Sequence, residues 1–149
     1  MKPFLDRKPM RLQRYNYEEE NMVFVTVCVD QRKKILGTVI PAGPEGAEAV
    51  VALSAVGKTV ETFTKTIPGI DKYVIMPNHV HMLVFVPEGK HISNIIRSWK
   101  TLITKQIGKS IWQRDYYDHV IRDEQDYQVR WQYIENNPVK WTLDPYYQK

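Results

Sequence analysis

The chain has 149 residues, 43% of them hydrophobic, with 21 Lys and Arg against 17 Asp and Glu and a net charge of +4. That is enough apolar material for one compact domain and little room for a second, and the mild basic excess suits an anionic partner without singling one out. The single cysteine, Cys28, excludes a disulfide framework, while a start without a secretory apolar stretch and no run near ~18 apolar residues predict a soluble, cytoplasmic protein rather than a membrane one.

Residues 1–20 are polar, basic and aromatic, with Arg11, Arg14, Tyr15 and Tyr17, and read as an arm outside the core. Residues 22–29 (MVFVTVCV) form a dense β-branched run, the pattern of a central strand buried on both faces, with Cys28 as a small buried hydrophobe. Residues 38–40 and 49–53 flank a Pro/Gly-rich stretch (PAGPEG) and predict a short hairpin or excursion. Ser54 can cap a helix carrying Val56, Val60, Phe63 and Ile67 on one stripe, with Pro68 as its stop. Residues 70–76 and 80–86 are strands joined through Pro77 and Asn78, two turn-forming residue types. In the next helix Ile92, Ile95, Ile96, Trp99, Leu102, Ile103 and Ile107 share one face, opposite Arg97, Lys100, Thr101 and Thr104. After a short apolar piece at 117–121, a last helix covers about 124–136 and ends before Pro138. The order strand, helix, strand, strand, helix, strand, helix predicts an α+β fold, a ferredoxin-like antiparallel sheet with helices packed on one face plus the C-terminal helix.

Within residues 73–87 (YVIMPNHVHMLVFVP) stand His79 and His81. One apolar residue between them puts both imidazoles on one face of a strand, about 6.5 Å apart along the backbone, a spacing at which they can share a metal ion. Two histidines in an apolar strand can equally be hydrogen-bonded core or surface residues. Two ligands are too few for a closed zinc site; an open site completed by an amide or carboxylate oxygen and water suits Mg²⁺ or Mn²⁺, with zinc as competitor. His91 and His119 lack that local spacing. On the last helix, Tyr127, Trp131 and Ile134 cluster, whereas Tyr133 lies about 120° away in a row with Asp126, Arg130 and Asn137. Tyr133 is thus either an amphipathic surface residue or a nucleophile, with Asn137 one turn on and turned toward the same place.

The segments MPNHVHMLV, IRSWK, WQRDYYDHVIRDEQDY and YIENNPVKW, in that order after RLQRYNY and FVTVCV, resemble the REP-associated tyrosine transposases, members of the single-tyrosine HUH endonuclease group related to IS200-like transposases. The resemblance spans nearly the whole chain and implies one HUH-type domain over 1–149, with a basic arm (1–20), a catalytic core (21–137) and a tail (138–149). The histidine–hydrophobe–histidine element falls on His79, Val80 and His81, the nucleophilic tyrosine on Tyr133, and the third metal ligand on Asn137. It further implies cleavage and transfer of single-stranded DNA at hairpins of palindromic repeats, a 5′-phosphotyrosine intermediate, a divalent metal (Mg²⁺ or Mn²⁺), and a monomer or homodimer. Arg11, Arg14, Arg97, Lys100 and Arg130 are candidate DNA contacts. Where relatives often continue N-P-V-K-H-G, this chain has Trp141 and Thr142. A different class of reading, a nucleic-acid-binding module with purely structural histidines, stays open on sequence alone.

Overall fold

In the computed structural model, which describes residues 20–41, 49–138 and 141, the β-branched run becomes strand β1 (Asn21–Cys28), buried at every position. It lies between two neighbours, so both its backbone edges are hydrogen-bonded and both its faces are covered. A 3-10 turn at Asp30–Arg32 leads to β2 (Gly37–Ile40) and β3 (Val50–Leu53), which pair only with each other as the expected hairpin. Then follow α1 (Ala55–Lys65), β4 (Ile70–Met76), β5 (His79–Val86), α2 (Ile92–Ile107), β6 (Tyr117–Val120) and α3 (Glu124–Asn136). The main sheet runs in the order β4-β5-β1-β6 and is antiparallel throughout, the ferredoxin-like arrangement the element order predicts.

Local chemistry sets the helix limits. Ser54 Oγ accepts from the Gly57 N–H (3.0 Å), and Asp123 accepts from the Asp126 N–H (2.8 Å), so α1 and α3 each begin on a side-chain cap. Gly57 is required by close approach: a Cβ there would stand 1.9 Å from the Leu36 carbonyl oxygen. Gly108, at φ 92°, closes α2 in the left-handed conformation. Ile67 falls beyond α1 rather than on its stripe, because a residue preceding proline is pushed out of helical geometry, yet it stays buried. Leu102 departs from expectation: it is 46% exposed, lying at the margin of an apolar arc wider than the sheet and α1 can cover.

Alternation divides β1 and β5 between two layers. Val23, Val25, Val27 and Val29, with Val80, Met82, Val84 and Val86, pack in one cluster with Val60 of α1 and Ile96, Trp99 and Ile103 of α2. Met22, Phe24 and Leu83 face the other way, onto Tyr127 and Ile134 of α3. Thus α1 and α2 cover one face and α3 the other. Among the described residues no helix is long and apolar enough to cross a membrane.

Candidate active site

His79 and His81 occupy the α3 side of β5, being register partners of Cys28 and Thr26 on β1. Both are essentially inaccessible (0% and 1%). A buried imidazole is costly unless hydrogen-bonded, and each has a partner at Nδ1. The His79 Nδ1–H donates to Asn78 Oδ1 (2.6 Å); the direction follows because the Asn78 amide nitrogen donates to the Arg32 carbonyl (3.3 Å), which makes its oxygen the acceptor. His81 Nδ1 meets Thr26 Oγ1 at 2.7 Å. With the His79 Nδ1 proton held in this way, the coordinating lone pair of that ring resides on Nε2, the arrangement that outer partners impose on metal-binding histidines; Thr26, whose hydroxyl both donates and accepts, fixes the orientation of the His81 ring. The two rings lie 4.5 Å apart, centroid to centroid, at 71°.

Tyr133 reaches this pair from α3. Its ring stands 5.0 Å from that of His81, edge-on at 64°, and 6.1 Å from that of Phe24. The helix is fastened to β4 by the Tyr127 hydroxyl donating to Asp71 and by Lys72, which pairs with Glu135 (2.8 Å) and lies over Trp131 (3.8 Å). The nucleophile candidate and the histidines therefore meet within one chain. Beyond the helix, Trp141 stacks on His79 at 5.9 Å and 28°. Asn137 stands midway in sequence between the residue packed on His81 and the one packed on His79. It is 3% exposed, its Nδ2 leans on the Tyr133 carbonyl (3.5 Å), and its Oδ1 is buried with no hydrogen-bond partner among the described residues. A buried amide oxygen in that condition is what a cation would satisfy. No third His, Cys, Asp or Glu among the described residues completes a cluster with the histidines, so the donors on this face that could hold a divalent ion are two imidazoles and an amide oxygen.

A second polar group continues along the same face. His119, the register partner of Phe24 on β6, bonds Asp126 Oδ2 through Nε2 (2.8 Å). Asp126 also accepts from the Arg122 N–H (3.0 Å) and pairs with Arg130 (3.6 Å). Burial alone would raise the Asp126 carboxyl; the bonds from His119 and the Arg122 N–H and the charges of His119 and Arg130 outweigh it and hold it below its ordinary value. The Arg130 guanidinium lies 5.0 Å above the Phe24 ring.

Arg97 and Lys100 sit on α2, across the sheet from the histidines; Arg97 is exposed, whereas the Lys100 ammonium donates to the carbonyls of Gln113 (2.9 Å) and Arg114 (3.2 Å). Burial lowers its pKa. Arg11 and Arg14 lie outside the described residues. His91 is the N-cap of α2 and lines, with Phe63, Ile67, Asn94, Trp99 and Leu102, a cavity of about 420 Å³ on that same remote side. Thr26, Phe24, Asn78 and Asp126 escaped the sequence reading as functional residues, and His119 was set aside there for want of local spacing. Thr26 and Phe24 were hidden in an apolar strand, Asn78 in a turn, and the pairing of His119 with Asp126 joins residues on separate elements. The one available signal was the parity of Phe24 and Thr26 with the histidines' strand face.

No family model matches the chain. It is 30% identical, over 95% of its length and 93% of the relative's, to a Haemophilus influenzae protein described as uncharacterized. It is 38% identical over 73 residues, 48% of this chain and 44% of the relative, to the REP-associated tyrosine transposase of Escherichia coli. Among solved structures, a REP-associated tyrosine transposase bound to a REP hairpin superposes with a TM-score of 0.63 at 28% identity, covering 89% of this chain and 74% of that one.

Proposed function

The chain belongs to the family of the REP-associated tyrosine transposases, and we propose that it is a metal-dependent endonuclease and strand transferase for single-stranded DNA, with Tyr133 as nucleophile. The observation that carries this reading is the edge-on approach of the Tyr133 ring to His81, 5.0 Å away and next to His79.

His79, His81 and Asn137 would hold the ion. When bound, Mg²⁺ or Mn²⁺ would draw charge from the scissile phosphate. The rest of the chemistry belongs to the chain. The Tyr133 oxygen attacks phosphorus as the phenolic proton leaves to solvent; the Tyr133 O–P bond forms, the P–O3′ bond breaks, and the departing 3′ oxygen takes a proton from water. One phosphoester replaces another, so nothing is oxidised or reduced and no nucleotide cofactor is consumed. A 3′-hydroxyl from the same or another strand then reverses the exchange at the 5′-phosphotyrosine and reseals DNA. Asn78 and Thr26 orient the imidazoles throughout, and the anchoring of α3 to β4 keeps Tyr133 in reach. The hairpin held by the structural relative supports a palindromic-repeat hairpin as the substrate here.

The test is incubation of the protein with labelled repeat-hairpin oligonucleotides and Mn²⁺ or Mg²⁺. Wild type nicks the strand, releases a 5′-labelled fragment that ends in a 3′-hydroxyl and retains a 3′ label covalently, whereas Tyr133→Phe binds the hairpin but gives neither product, a loss on the order of 10⁴-fold or more. Nicking that survives Tyr133→Phe removes that residue from its role. Hairpin binding with no nicking in any metal identifies a binding module instead.

A further inference from the structure

Phe24 organises more than packing. Four groups surround its ring: His81, stacked at 5.5 Å and 21°; Tyr133, edge-on at 6.1 Å; Tyr117, edge-on at 6.4 Å; and the Arg130 guanidinium carbon, 5.0 Å above it. Arg130 lies one helical turn before Tyr133, so its charge is presented alongside the phenol rather than at a distant surface.

That guanidinium is held from a prepared anchor. Asp126, four residues earlier on α3, receives His119 Nε2 (2.8 Å) and the Arg122 N–H (3.0 Å) on Oδ2, with the Arg122 Nε 3.9 Å from the same oxygen, which fixes the carboxylate independently of Arg130. Its Oδ1 then faces Arg130 Nε at 3.6 Å, an ion pair rather than a hydrogen bond. The Arg130 side chain is 28% exposed, half anchored and half presented. An arginine positioned through Nε keeps its terminal N–H fork for a second anion, and that fork matches the oxygens of a phosphate. A solvated Arg–Asp pair on a helix surface needs neither a half-buried histidine behind the carboxylate nor an aromatic ring under the guanidinium.

We infer that Arg130 is a catalytic residue of the same cleft, its guanidinium binding a non-bridging oxygen of the phosphate that Tyr133 attacks, with Asp126 and His119 as the positioning residues behind it. The inference rests on the reading of Tyr133 as nucleophile. A phosphodiester brings one negative charge and attack by the phenolic oxygen adds another at phosphorus; a divalent ion on the imidazoles and amide would offset part of it, and the guanidinium adds a cation that the chain itself holds in place. A fixed cation beside the phenol is stabilising where that charge develops.

The experiment compares wild type, Arg130→Met and Arg130→Lys on the same labelled hairpin, each with its melting temperature and hairpin Kd measured. Methionine keeps the apolar stem over Phe24 and removes the fork; lysine keeps the charge. The expected result is nicking slowed roughly 10²-fold in Arg130→Met, partial recovery in Arg130→Lys, and little change in hairpin Kd. On an oligonucleotide whose scissile phosphate is a methylphosphonate, wild type and Arg130→Met should nick at one rate for the isomer that lacks the contacted oxygen. A merely structural Arg130 would not distinguish the two substrates. Asp126→Asn should slow nicking less than Arg130→Met and add nothing to it in the double variant. Unchanged nicking in Arg130→Met, or equal slowing on diester and both methylphosphonate isomers, overturns the inference while the Tyr133 reading stands. If wild type forms no covalent product, the Tyr133 reading falls first and this one with it.

Discussion

The two faces of the central sheet are built from the same strands and do opposite things. On the α1/α2 face, Val80, Met82 and Val84 of β5 meet Val23, Val25 and Val27 of β1 in a dry, continuous core. On the α3 face, one residue out of step, His79 and His81 meet Asn78 and Thr26 through hydrogen bonds, with Phe24 stacked on His81 and Met22 and Leu83 packed farther along. Both faces are buried, so burial alone does not separate core from site. What separates them is how polar groups are satisfied: on the second face each imidazole has a partner at Nδ1, and the Asn137 Oδ1 is buried with none among the described residues. A strand that reads as largely apolar can therefore form a dry core on one side and a hydrogen-bonded polar cluster on the other.

Neighbouring substitutions on β5 break that contrast most directly. His81→Ala should abolish metal-dependent nicking, a loss larger than the roughly 10- to 100-fold typical of removing only an outer partner of a metal ligand, while the protein still folds; metal titration and nicking rates check it. Met82→Ala, next in sequence but on the dry face, should do the reverse: about 2–5 kcal/mol lost in chemical denaturation, with nicking per folded molecule unchanged. Loss of activity without loss of stability in Met82→Ala would show that the two faces are not separable.

Thr26→Val sharpens the comparison with a nearly isosteric change. It removes the hydroxyl at His81 Nδ1 and should weaken Mn²⁺ binding by roughly 10-fold, read by calorimetry, at a stability cost of about 1 kcal/mol. The smallest effect concerns pH. The Asp126 carboxyl is held below its ordinary 3.8, so its contribution to docking α3 is complete above that value and is lost as pH falls through the lower folded value. Thermal unfolding followed from about pH 5 to pH 2 should show wild type converging on Asp126→Asn at the acid end and exceeding it at the other.

Much of this architecture was legible in residue patterns. The last helix runs over Glu124–Asn136 as its periodicity and Pro138 predict, Ser54 caps α1, Pro77 and Asn78 join β4 to β5, and the element order fits the sheet order β4-β5-β1-β6. Tyr133 was visibly off the apolar stripe of its helix. The limits of the apolar arc on α2 were not legible, because whether Leu102 is covered depends on how far α1 reaches across it.

By itself the sequence determined the parts: a strand with two histidines in step, a helix with a tyrosine and an asparagine one turn apart, and the family resemblance that joins them. Both periodicities are local and survive in a single chain read end to end. Only the tertiary structure decided that α3 packs on the histidine face and not with α1 and α2, that Thr26 and Asn78 orient the imidazoles, and that Asp126 delivers Arg130 beside the phenol. The Thr26–His81 bond joins residues 55 positions apart and the packing of Phe24 on Tyr133 spans more still, across a face chosen by strand register, and no local pattern encodes which helix will cover which side.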